Sequence, residues 1–216
     1  TWLWQMEDEI RPLMPMVYYH VWDNYPPPKY TRVYYDSTDV IVTISKLTDE
    51  ITRAVAEKAE VIHLPHAVNM DTFSKIEGEE MDNFRQNSLA NAENKDKMVF
   101  FWNNRNARRK QSGTVIFWFK EFLDRVGHDN ACLIMHTDPK DMHGQDLEAI
   151  VHELGLNQGQ VMFSKDKVSP RSLAFLYNLA DCTINIADAE GFGLATLESL
   201  ACETPIIVTM TGGLQE

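Results

Sequence analysis

The sequence predicts an α/β fold built on parallel, doubly wound sheets, and two observations carry that expectation. Short apolar runs of the buried-strand type, residues 40–44 and 98–102 among them, alternate with amphipathic helical stretches. One junction is also distinctive. The run 182–186 feeds a turn with Gly191 and Gly193, and a helical stretch follows with Leu194, Leu197, Leu200 and Ala201 on one face.

Taken in order, residues 16–19 read as a short strand leading to His20-Val21-Trp22-Asp23-Asn24-Tyr25. The loop at Pro26, Pro27 and Pro28 suits neither a helix nor a central strand. Residues 40–44 form a second strand, after which Ser45 is placed to cap a helix carrying Leu47, Ile51, Ala54, Val55 and Ala59 on one face. A third strand, 61–64, ends at Pro65-His66-Ala67-Val68-Asn69.

From Ser74 to Lys97 the composition turns polar, with Glu77, Glu79, Glu80, Asp82, Asn83, Asn87, Asn91 and Asn94. This stretch, 74–97, reads as an interdomain linker and hinge with some helix around 81–89. Beyond it, strands are expected at 98–102, 131–135, 161–163, 182–186 and 205–209. Helices are expected at 112–126, 145–154, 170–180 and 194–202, with Ser169-Pro170 as a cap followed by proline at the first helical position. The loops holding Arg105, His136, Lys165 and Glu190 all follow strands, so they converge on the carboxyl edge where open α/β sheets bind ligands.

The 216 residues suffice for one generous core or two small ones, and 44% hydrophobic with 24% charged residues is ordinary for a globular chain. No apolar run reaches the roughly 18–20 residues of a membrane span. Trp2, Leu3 and Trp4 give way to Glu7, Asp8 and Glu9 rather than to an export leader. Cys132, Cys182 and Cys202 each lie inside an apolar element and read as reduced core residues, so a cytoplasmic setting is expected. A net charge of −12 argues against a nucleic-acid partner or an anionic membrane surface. Against it, Arg105, Arg108, Arg109 and Lys110 cluster just after an apolar strand, which favours an anion site. The scattered histidines and the cysteine spacing offer no metal constellation, and no Ser-His-Asp or Gly-x-Ser-x-Gly arrangement occurs.

The chemistry of the glycine turn is anion binding. Glycines admit close backbone approach, and the N–H groups and dipole of the following helix favour phosphate. Glu190, just before the turn, and Glu198, inside the helix, cannot take phosphate and more plausibly accept from hydroxyls. Phosphate flanked by two hydroxyl readers suggests a nucleotide sugar.

Glu190-Gly191-Phe192-Gly193 with Glu198, then Ala201-Cys202-Glu203-Thr204-Pro205-Ile206-Ile207-Val208 and Gly212-Gly213-Leu214-Gln215-Glu216, resembles the E-x7-E signature of retaining GT-B glycosyltransferases of family 4. The resemblance implies two Rossmann-like domains. Residues 1–73 would be the remainder of an N-terminal acceptor-binding domain, 74–97 the linker, and 98–216 a donor-binding domain that stops as a new helix opens. A fragment of a longer enzyme is therefore expected.

By the same resemblance, Arg105 and Lys110 fit an Arg-x4-Lys pair that holds the donor diphosphate and stabilises its charge on departure. Gln111 stands where relatives have glycine. Arg108 and Arg109 are expected to be solvated. Glu198 would accept from the ribose and Glu190 from sugar hydroxyls near the reacting carbon. Gly191, Phe192, Gly193, Leu194 and Thr196 would act through backbone N–H groups or packing. Lys165 and Val168 lie where the nucleobase would bind. His20 stands where relatives carry a histidine facing acceptor or sugar, although a histidine after a strand is as often a structural hydrogen bonder; Asp23 is a weaker candidate beside it. His66 suits a hinge role, and His136-Thr137-Asp138 occupies the place of a glycine-rich loop. Glu203 replaces a glycine at the end of the key helix, at a cost of roughly 1 kcal/mol if the position is left-handed.

The expected activity is transfer of a sugar from a nucleoside diphosphate donor (UDP, GDP or ADP type) to a sugar, glycan, lipid or protein hydroxyl, with retention of configuration and no obligatory cofactor or metal. Two other readings stay open: a nucleotide-sugar epimerase on the same fold, and a non-catalytic nucleotide-sugar-binding module.

Overall fold

A computed structural model describes residues 2–89 and 96–216, and its chain divides into two compact units. The first comprises 1–67 with 189–193 and 210–216; the second comprises 68–188 with 194–209.

In the first unit, β1 (Val17–His20), β2 (Val40–Thr43) and β3 (Glu60–His63) form a three-stranded parallel sheet in the order β1-β2-β3. Short helices α1 (Trp2–Gln5), α2 (Glu7–Ile10) and α3 (Arg32–Asp36) were not anticipated. Helix α4 (Lys46–Arg53) starts as expected at Ser45, whose hydroxyl accepts from the Thr48 N–H at 3.1 Å. A core of Tyr35, Ile41 and Val55, with Tyr18, Ala56 and Ala59 packed on it, explains why α3 forms: Tyr35 is 1% exposed and anchors that turn under β2.

The second unit carries β4 (Met98–Asn103), β5 (Ala131–His136), β6 (Val161–Ser164), β7 (Cys182–Asn185) and β8 (Ile206–Val208), all parallel, in the order β6-β5-β4-β7-β8. Its helices are α5 (Glu79–Ser88), α6 (Ser112–Val126), α7 (Leu147–Glu153), α8 (Pro170–Leu179) and α9 (Leu194–Ala201). Phe100, Trp102, Leu133 and Met135 alternate along β4 and β5 toward α6 and α7. Val99, Phe101, Cys132 and Ile134 face the other way, into a second core with Ala174 and Tyr177 of α8. Ser169 caps α8 with Pro170 at its first position, and Asp146 caps α7.

Residues 74–97, read from composition as a linker, include α5. Met81, Phe84 and Leu89 pack into the second unit's core, and Arg85 donates to the carbonyls of Leu179 and Lys97. Their spacing at 81, 84 and 89 was the available signal beneath the surrounding acids. Residues 90–95 of that stretch lie outside the described residues. Helix α9 also departs from expectation. Its leucine stripe is not the buried face: Leu194 and Leu200 are 42% and 51% exposed, whereas Thr196 and Ser199 are buried. The reason is a polar seam. Ser199 Oγ donates to Thr183 Oγ1 at 2.8 Å, and Asn185 Nδ2 donates to Thr196 Oγ1 at 3.4 Å.

The three cysteines are buried, and none is in a disulfide. Among the described residues no helix is long and apolar enough to cross a membrane, and no group of three or more His, Cys, Asp or Glu is placed to hold a metal ion.

Candidate functional site

The second sheet reverses its winding between β4 and β7, since β5 and β6 follow on one side and β8 on the other. Ligands of open α/β sheets bind at that reversal, beyond the carboxyl ends of the strands. The loop after β4 runs through Arg105 and Asn106 to a 3-10 turn, Arg108–Lys110; the loop after β7 leads to α9. A backbone hydrogen bond from the Asp188 N–H to the Arg109 carbonyl, at 2.8 Å, joins the two loops.

Asn106, fully buried, builds the β4 loop. Its Nδ2 donates to the carbonyls of Gln145 at 2.7 Å and Pro139 at 3.3 Å, while its Oδ1 accepts from Ser112 Oγ at 2.8 Å and the Gln145 N–H at 3.3 Å. All four bonding capacities of the amide are used, which fixes the 139–145 segment and the start of α6 against the loop. Gln111 then turns the chain into α6 at φ 56°, the left-handed conformation that a glycine adopts without strain. Its side chain compensates: Nε2 donates to Asp188 Oδ2 at 2.7 Å and Oε1 accepts from Thr114 Oγ1 at 2.9 Å.

The cations on this loop differ in setting. Lys110 is 7% exposed, whereas Arg108 and Arg109 are exposed. Arg105 is exposed but engaged: Nε and Nη2 reach the two oxygens of Asp141 at 2.6 and 3.2 Å, and Nη2 also meets His143 Nδ1 at 2.8 Å. The Arg105 guanidinium and the His143 N–H hold the Asp141 carboxyl well below the usual carboxylate range.

Glu198, on α9, is half-buried. Its Oε2 accepts from the Tyr177 hydroxyl at 2.7 Å, and Tyr177 in turn accepts from Asn103 Nδ2 at 2.8 Å. Burial raises the Glu198 pKa, and the Tyr177 hydrogen bond lowers it. Leu194 and Thr196 lie in the first turn of α9. Lys165, after β6, is exposed and paired with Glu148, which also meets Lys140 at 3.1 Å. His136 ends β5 with Nδ1 against Ser164 Oγ at 2.9 Å.

The remaining predicted residues belong to the first unit. His20 ends β1 and is 3% exposed; its Nε2 bonds the Tyr35 hydroxyl at 2.6 Å and its Nδ1 has no partner among the described residues. Burial pushes its pKa down to about 4, so the imidazole is neutral at pH 7. Asp23, the weaker candidate, accepts from Asn24 Nδ2 at 2.8 Å. His66 bonds the Tyr19 hydroxyl through Nδ1 at 3.0 Å and meets the Phe192 ring edge-on with centroids 5.2 Å apart. The Glu190 carbonyl accepts from the Gly213 N–H at 3.0 Å. A Cβ on Gly191 would stand 2.7 Å from Val21 Cγ1, and Gly193 has φ +92°. Both positions favour glycine, the first by the close approach and the second by its backbone conformation.

Thus the structure brings Arg105, Lys110, Leu194, Thr196 and Glu198 to one edge of the second sheet, with Lys165 farther out after β6. It groups Glu190, Gly191, Phe192 and Gly193 with His20 in the first unit. Sequence reasoning missed Asn103, Asn106, Asp141 and Tyr177. Polar residues at or just past a strand's carboxyl end were the available signal for the first two.

The model for the family Glycosyl transferases group 1 matches residues 80–216. The chain belongs to that family. Among its curated relatives, D-inositol 3-phosphate glycosyltransferase of Corynebacterium jeikeium is 33% identical over 97 residues, 44% of this chain and 23% of the relative. An uncharacterised glycosyltransferase of Methanocaldococcus jannaschii is 28% identical over 186 residues, 84% of this chain and 45% of the relative. Of solved structures, Anabaena HepE in complex with UDP and glucose superposes with a TM-score of 0.75 at 16% identity, covering 93% of this chain and 54% of that one. Sucrose-phosphate synthase of Thermosynechococcus elongatus does so with 0.75 at 18%, covering 98% and 55%. At such identities the likeness carries the fold, and the expected GT-B type of parallel-sheet α/β architecture holds. The chain spans about half the length of these solved structures, and less than half of the two curated relatives.

Proposed function

We propose that the protein is a glycosyltransferase that moves a sugar from a nucleoside diphosphate donor to a hydroxyl acceptor with retention of configuration. The observation that carries this reading is the pair of joined loops at the reversal of the second sheet, one bearing Arg105 and Lys110 and the other leading to Glu198, in a chain of the Glycosyl transferases group 1 family.

In this reading Lys110 and the Nη1 side of Arg105 stabilise the leaving diphosphate, aided by the N-terminus of α9. Glu198 accepts from the ribose hydroxyls, Glu190 orients the sugar, and neutral His20 serves the sugar or acceptor. The bond between the anomeric carbon and the departing phosphate oxygen breaks. The acceptor oxygen bonds to the same face, and its proton passes to the diphosphate. The donor is of UDP, GDP or ADP type, with UDP the first to try because HepE was solved with it. The acceptor is a sugar, glycan, lipid or protein hydroxyl, and the setting is cytoplasmic.

Calorimetry with UDP, GDP and ADP on the chain and on its Arg105→Ala and Glu198→Ala variants tests the donor site. One diphosphate should bind, both substitutions should weaken it, and Arg105→Ala should leave the bare nucleoside unaffected. Absence of binding by all three overturns the reading. Retention is checked by the anomeric configuration of the product from a donor-sugar reaction, and an inverted product would refute it.

A further inference from the structure

Tyr177 occupies a position that a phenylalanine would fill equally well as a hydrophobe. It is fully buried, with its ring edge-on to Phe101 at 5.1 Å and to Phe73 at 6.2 Å. A hydroxyl in such a place is costly unless it is bonded, and this one is bonded twice. Asn103, the last residue of β4, donates to it from Nδ2 at 2.8 Å, and the hydroxyl donates to Glu198 Oε2 at 2.7 Å.

The relay has a direction. A phenolic oxygen has a single proton, and an amide NH2 can only donate to it. The Asn103 bond therefore occupies an acceptor position on Tyr177 and leaves the proton for Glu198. One carboxylate oxygen is thereby pinned from below, through three elements of the second unit: β4, α8 and α9. The other oxygen, Oε1, has no hydrogen bond among the described residues. A glutamate free on a helix surface must give up rotamer freedom to read a ligand, whereas one anchored in advance has little left to lose.

We propose that Tyr177, held by Asn103, is the positioning residue that aims Glu198 Oε1 at the ribose hydroxyls of the donor and so sets a preference for ribose over deoxyribose nucleotides. This rests on the donor-site reading above. Tyr177 touches no ligand itself. Its effect belongs to the sugar of the nucleotide and not to its phosphates.

The test is calorimetry on the whole chain with UDP, GDP and ADP. It is followed by the 2′-deoxy and 3′-deoxy forms of whichever binds, for wild type, Tyr177→Phe, Asn103→Leu and Glu198→Gln. Circular dichroism checks the fold of each variant. Glu198→Gln and Tyr177→Phe should each cut the ribose preference about tenfold, and Asn103→Leu by less, with inorganic pyrophosphate affinity unchanged. A hydroxyl with only a structural role would weaken ribose and deoxyribose nucleotides alike; that pattern overturns the inference. So does an intact preference in Tyr177→Phe while Glu198→Gln loses it, which spares the donor-site reading. If Glu198→Gln keeps the preference, or if no nucleotide binds, the donor-site reading fails and this inference with it. Should both Tyr177→Phe and Asn103→Leu fail to fold, the relay is structural and the inference is wrong.

Discussion

The carboxylate of Asp141 grips the guanidinium of Arg105 at two points, from Nε at 2.6 Å and from Nη2 at 3.2 Å. An exposed arginine carries about 2 kcal/mol of rotamer entropy, and a two-point clamp removes much of it before any anion arrives. Asp141→Ala should therefore weaken nucleoside diphosphate binding by up to about tenfold, and Asp141→Asn, which keeps an acceptor, by less. Calorimetry with the diphosphate checks both. Tighter binding in Asp141→Ala would mean that the carboxylate competes with phosphate instead of aiming the arginine.

Among the described residues two non-glycine residues stand in the left-handed region, Gln111 at φ 56° and Glu203 at φ 59°. Glu203 is exposed, its nearest cation Lys75 at 3.8 Å. Glu203→Gly should stabilise the chain by about 0.5–1 kcal/mol. Gln111→Gly relieves the same backbone cost but deletes the bonds to Asp188 and Thr114, each worth about 1 kcal/mol, so it should destabilise. Urea unfolding of the two variants should move the midpoint in opposite directions.

The eight strands found among the described residues, their parallel class and the bounds of α6 were legible because buried parallel strands need continuous apolar runs, and this chain spells them out; the order of the strands within each sheet was not. Relations made by single polar atoms were not. Tyr177 sits in an apolar helix and reads as core; nothing in its neighbourhood along the chain announces that its hydroxyl meets Glu198, 21 residues on. Helix α9 misled in the opposite sense. Its leucines pointed outward because Thr183, Asn185 and Thr204 offered its small polar residues a bonded seam. Helix α5 was legible as some helix around 81–89, but the acids that surround it masked its packing: Met81 and Phe84 face the core.

His20 makes stability fall in mild acid. Burial lowers its pKa from an ordinary 6.5 to about 4, so below pH 6.5 the unfolded chain takes up a proton that the folded chain refuses. This contribution is fully present above about pH 6.5 and is lost as the pH falls toward 4. Melting temperatures across that window should drop more steeply for wild type than for His20→Gln; parallel slopes would contradict the assignment.

Gly212 has φ +51°, and a Cβ there would overlap the carbonyl oxygen of Glu190. Backbone cannot yield as a flexible side chain does, so Gly212→Ala should cost about 3 kcal/mol. Its unfolding midpoint, compared with that of Gly155→Ala, isolates the clash. Gly155 is also left-handed, at φ +68°, but has nothing within 4 Å of its would-be Cβ.

The bond from the Asp188 amide to the Arg109 carbonyl is made by main chain alone. Every residue other than proline supplies the amide, and any residue supplies the carbonyl. A substitution that changes the charge or size of a side chain in either loop, proline at 188 aside, therefore leaves both atoms of the joining bond in place.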